Sequence, residues 1–177
     1  MIRHSRLLLL AAAVLPTAFG STAYAETDKK ILSGSACQAQ DPKERENLKY
    51  FARGIQAFDK DVDITCPIIR DSTQRAINFV DVRYQRGFDM PPQGSDKDQF
   101  MGDFKGAVWS CSNVAAGGAE CKHSDGNSQG HPDTTRATSV HIDTKKLPHD
   151  ENHYYVYKTT LPKFAILKSI TYQEDVQ

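Results

Sequence analysis

The chain has 177 residues, 22 basic and 22 acidic side chains, 39% hydrophobic residues and four cysteines. That is the length of one domain, which commonly runs about 100–200 residues. The charge balance excludes a general nucleic-acid binder, which needs a basic face to displace counterions from phosphates, and the charged and aromatic content excludes a disordered chain.

The first 25 residues read as a secretory signal peptide. Arg3, His4 and Arg6 form a positive start, Leu7 to Val14 is an apolar run, and Pro16 and Gly20 break it. Ala23-Tyr24-Ala25 then sets small residues at the two positions a signal peptidase requires. The apolar run is far shorter than the roughly 20 residues that cross hydrocarbon, and no later segment is long and apolar enough. The expectation is cleavage after Ala25, a secreted or periplasmic protein and no transmembrane anchor. Residues 26–177 would then be a single domain with 20 basic and 22 acidic residues. A chain of that size buries roughly 68–70% of its unfolded surface and does not strictly need staples.

Along the mature chain, Glu26 to Lys30 is polar and reads as a frayed end. Pro42 to Tyr50 alone has helical character, enough for one or two turns, and Tyr50 to Phe58 is mixed. Strand patterns follow at Val62–Cys66, Ile77–Tyr84, Ala107–Cys111, Thr138–Asp143, His153–Thr160 and Phe164–Tyr172. They are rich in β-branched and aromatic residues and mostly alternate with period two. Turn clusters separate them: Gly87 to Asp98, Gly117-Gly118 and His123 to Asp133, with further stops at Pro148 and Pro162. The pattern predicts an all-β protein, an antiparallel β-sandwich of jelly-roll or immunoglobulin-like type with about seven or eight strands.

Cys37, Cys66, Cys111 and Cys121 all survive processing, and an even count in an exported chain predicts disulfides. Three pairings are open. Cys37–Cys66 with Cys111–Cys121 is favoured, because the second pair encloses Gly117-Gly118 as a turn between two strands, and a short loop closes at low entropic cost. There is no Cys-x-x-Cys redox motif, and intervals of 28, 44 and 9 residues lack the close pair of a zinc knuckle.

A series of short motifs runs through the mature chain: Ser33-Gly34-Ser35-Ala36-Cys37, Cys66-Pro67-Ile68-Ile69-Arg70-Asp71, Trp109-Ser110-Cys111, Leu161-Pro162 and Leu167-Lys168-Ser169-Ile170-Thr171-Tyr172. In this order they resemble a family of small secreted bacterial proteins of unassigned function. The family often carries a cysteine just before Leu-Pro, where this chain has Thr159-Thr160. The resemblance implies a secreted β-sandwich and transfers no catalytic residue. The departure at Thr159-Thr160 favours the local Cys111–Cys121 pairing.

Several clusters invite a chemical reading, each beside a plainer one. His149 and His153 stand four apart, but Pro148 before them and a tyrosine-rich strand after them make a turn the better reading than a zinc site. His123, His131 and His141 read as surface residues. Asp59, Asp61 and Asp63 lack the glycine and glutamate of a calcium loop and read as one solvent face of a strand. Arg70-Asp71 reads as an ion pair that pins a loop. Tyr155 and Tyr157 share one strand face, opposite Tyr154, and serve either as an aromatic platform or as core. The long loop from Gly87 to Phe100 carries Phe88, Met90 and Phe100, and loops of this kind on rigid sandwiches often bind ligands.

No nucleophile elbow, phosphate loop or dinucleotide fingerprint occurs, and no cofactor is indicated. The sequence therefore favours a secreted, non-enzymatic binding or interaction module, with a glycan, a cell-surface component or another protein as partner. The Gly87–Phe100 and Lys122–Asp133 segments are the first candidate surfaces. The alternative is a small secreted hydrolase or metal-dependent protein using the C-terminal histidines.

Overall fold

The computed structural model describes residues 28–72, 75–87, 104–113, 118–127 and 137–175. The signal segment, Phe88, Met90 and Phe100 lie outside the described residues. The described strands are β1 (Asp28–Ser33), β2 (Gln38–Ala39), β3 (Leu48–Phe51), β4 (Gly54–Ala57), β5 (Val62–Ile68), β6 (Ile77–Arg86), β7 (Lys105–Asn113), β8 (Ala119–Asn127), β9 (Thr138–Asp143), β10 (His153–Leu161) and β11 (Ala165–Glu174). They form an antiparallel β-sandwich. One sheet runs β3-β4-β11-β6-β9, with β1 also paired to β11, and the other runs β2-β5-β10-β7-β8. β6 takes one side of β11, so β1 and β4 share the other: β1 pairs with Ser169–Glu174, and β4 with Ile166 and Leu167.

Period-two alternation builds the core. Val62, Ile64, Cys66 and Ile68 point inward from β5, and Tyr155, Tyr157, Thr159 and Leu161 from β10. They meet Val80, Val82, Tyr84, Val140, Ile142, Leu167 and Ile170 from the facing sheet in one buried cluster. Burying such side chains contributes about 1.5–3 kcal/mol each relative to exposure. At its centre the Tyr84 and Tyr157 hydroxyls hydrogen-bond to one another, and Phe104 stacks on Tyr84 at 4.2 Å between centroids. Burial pushes the Tyr157 phenol up to about 12 and raises that of Tyr84 as well.

Both expected disulfides form, Cys37–Cys66 and Cys111–Cys121. Cys111 lies directly opposite Cys121 in the β7–β8 ladder, so the second bridge closes a hairpin as expected. The helical stretch is a 3-10 helix, Pro42–Asn47, started by the Asp41 side chain accepting from the Lys43 N–H at 2.9 Å.

Three local expectations are corrected. The end read as frayed is β1 from Asp28 onward, because the Lys30 ammonium reaches the buried Glu174 carboxylate at 2.7 Å. Ser124-Asp125-Gly126-Asn127, read as turn, lies within β8. Its polar residues suit an edge strand, where Ser124 donates to the Asp143 carbonyl at 2.6 Å. Asp59 and Asp61 precede β5 rather than sharing its face with Asp63. Asp61 accepts from the Lys163 N–H at 2.8 Å and Asp63 from the Thr160 hydroxyl at 2.6 Å.

Candidate functional site

The β3–β4 hairpin turns at Ala52 and Arg53, with Phe51 opposite Gly54. Gly54 has φ +144°, and a Cβ there would stand 2.2 Å from the Leu167 carbonyl oxygen. Glycine is therefore required twice over, by backbone angle and by close approach. It lets β4 lie against β11, which carries a β-bulge between Leu167 and Ser169. Lys168 is the extra residue of that bulge, re-aimed away from the regular pleat. Its ammonium donates to Gln85 Oε1 at 2.6 Å.

The register sets Lys49, Gln56, Ile166 and Gln85 abreast across β3, β4, β11 and β6. With Ile55 and Ala57 committed to the core, this row lies on the outer face of the sheet. Here the Phe51–Arg53 turn, Gln56, Gln85, Ile166 and Lys168 line a cavity of about 470 Å³, within the range of small-molecule sites. Phe51 offers an aromatic surface that is 44% exposed.

Gln56 is the chemically distinctive member. It is only 3% exposed, yet its Nε2 donor has no hydrogen-bond partner among the described residues. Gly87 lies flat on it, since a Cβ at Gly87 would stand 2.2 Å from that nitrogen. The Gly87 N–H is held in turn by the Phe164 carbonyl at 2.7 Å. Phe164 adopts φ +65°, which is uncommon for a bulky residue. An unmade bond at a buried amide costs about 1–3 kcal/mol, so a donor with no acceptor among the described residues is a costly feature of this fold.

Of the two histidines weighed against a plain turn as a zinc site, His149 lies in the turn before β10 and His153 is the first residue of β10, and among the described residues neither joins a group of three metal-capable side chains. His149 Nδ1 lies 3.3 Å from the Leu147 carbonyl, and His153 Nδ1 lies 2.6 Å from Asp150 Oδ1. That contact with His153, together with the Asn152 N–H, holds the Asp150 carboxyl below its usual range. Among the described residues, the one group of three metal-capable side chains is Asp28, Asp71 and Glu174. The Lys30 ammonium already takes a cation's place among them, at 3.8, 2.8 and 2.7 Å.

Tyr155 and Tyr157 are not an exposed platform. They are 2% and 0% exposed, because β10 is a central strand and turns that face to the core, leaving Tyr154 outside. Arg70 and Asp71 also take separate partners. The Arg70 guanidinium donates to the backbone carbonyls of Arg75, Asp150 and His153, while Asp71 pairs with Lys30. The loop is pinned as expected, by backbone carbonyls more than by an ion pair.

Gly87, the first residue of the binding segment expected from sequence, lies against Gln56, and residues 88–100 of that segment fall outside the described residues. Tyr50 to Phe58 read only as mixed, and the Gln56 site went unseen. The usable signal was Gly54 after Phe-Ala-Arg, which marks a hairpin with an aromatic at its shoulder.

No protein-family model matches the chain. No curated protein matches it either. Among solved structures, the crystal structure of Podospora anserina GH26-CBM35 beta-(1,4)-mannanase resembles it with a TM-score of 0.41 and 15% identity, over 84% of this chain and 28% of that one. The chain thus spans little more than a quarter of the enzyme's length, and a likeness of this degree carries no weight for ligand or activity.

Proposed function

We propose that this protein is a secreted, non-enzymatic binding module that holds a glycan on the outer face of the β3–β4 hairpin. The observation that carries the reading is the buried, unpartnered amide donor of Gln56 in the wall of a cavity whose rim is an exposed Phe51. A sugar matches both features. Its C–H face packs on an aromatic ring, and its hydroxyls accept and donate at amides. Export is supported by the leader pattern of residues 1–25 and by two disulfides, which persist in oxidising compartments. No described helix is long and apolar enough to cross a membrane. The alternative of a hydrolase or metal-dependent protein gains no support from His149 and His153, whose contacts serve their own turn.

The test is a glycan panel screened with the exported, oxidised protein, alongside Phe51→Ala. At least one glycan is expected to bind, and the variant to bind it at least about fivefold more weakly, since truncating a contributing aromatic costs upward of about 1 kcal/mol. A panel without a ligand, or a variant that binds like the parent, would overturn the reading.

A further inference from the structure

We infer that the ligand is an anionic saccharide, of the uronate type; this rests on the glycan reading above and narrows it. The lining contains two cations, Arg53 at the hairpin turn and Lys168 on the bulge, and no carboxylate among the described residues. Neither cation forms an ion pair with a described residue. Lys168 leans on the neutral oxygen of Gln85, a contact that orients the ammonium and leaves its charge uncompensated. The ring of contacts is thus divided by chemistry. Phe51 and Ile166 supply apolar surface, the Gln56 amide supplies a neutral donor, and the two cations supply positive charge. A neutral sugar would use the first two and leave the charges idle. A ring carrying a carboxylate uses all three, and Arg53 can meet the carboxylate with two parallel donors. The local charge also contrasts with the whole chain, whose basic and acidic residues are equal in number. Among the described residues, a cation pair without acids is therefore a property of this cavity's lining and not of the composition.

The experiment is calorimetric titration with oligogalacturonate, alginate and glucuronate oligomers, each beside its methyl ester, which keeps the ring and removes the charge. At least one free acid is expected to bind at least about tenfold more tightly than its ester. That preference should shrink as salt rises from 50 to 500 mM, because partly exposed charges are screened. Arg53→Gln combined with Lys168→Gln should abolish the preference, so that acid and ester bind the variant with equal affinity. Equal binding of acid and ester, or binding of neutral panel glycans alone, overturns the charge assignment and leaves the glycan reading standing. Failure of every acid, every ester and every panel glycan overturns both.

Discussion

Lys30→Met is expected to lower stability by about 3–5 kcal/mol, measured as the shift of the urea midpoint at constant slope. Glu174 is fully buried, and its carboxylate accepts from Lys30 Nζ at 2.7 Å and from the Asp71 N–H at 3.0 Å. Removing the ammonium leaves a buried charge with a single backbone donor. Burial of Lys30 works against its charge, but the hydrogen bonds to Asp71 and Glu174 outweigh this and raise its pKa. The same ammonium holds the exposed Asp71 carboxyl below its usual range. The effect should be strongly non-additive. Lys30→Met with Glu174→Met replaces the pair by apolar side chains and should recover most of the loss. A single variant within about 1 kcal/mol of the parent would show that the pair does not hold β1 to β11.

Loss of the disulfides should be comparably severe and should rank by loop length. The Cys37–Cys66 bridge closes a separation of 29 residues and Cys111–Cys121 one of 10. Chain-entropy arguments then give about 3.6 and 2.7 kcal/mol. Together these would consume much of the 5–15 kcal/mol typical of a whole domain. Paired alanine variants, melted separately, should each lose roughly 10 °C, with Cys37→Ala/Cys66→Ala the worse. That order has a second cause, since both of its cysteines lie in the core, whereas Cys121 is only partly buried. A reversed order, or no loss in either, would contradict this.

The long strands were legible because a half-buried strand writes its burial into every second residue, as β5 and β9 do without exception. The Cys111–Cys121 bridge was legible because its cysteines enclose a Gly-Gly pair that reads as a turn, and so short a loop closes at low cost. β1 and the Ser124-Asp125-Gly126-Asn127 end of β8 were not, for one physical reason: edge strands turn little surface to the core, so their sequences look like loops. β2, at two residues, is too short to show any period. The site was hidden for a different reason. Gln56 lies between Ile55 and Ala57 as any outward polar residue would, and only the fold shows Gly87 lying across it. The cavity depends on a bulge at Lys168 and on a row of residues from four strands, and no local pattern encodes a juxtaposition of that kind. Tyr155 and Tyr157 were readable as a pair on one face. Which face was core depended on β10 being central, a property of the whole sheet.

Gln56→Met, assayed for both melting and glycan binding, is the most direct measurement. If the amide is kept for a ligand, the variant should be more stable than the parent by about 1–2 kcal/mol, because a buried unmade bond is gone, and it should no longer bind. A variant that is less stable would mean the amide has a partner within the protein, and a variant that binds undiminished would place the ligand elsewhere.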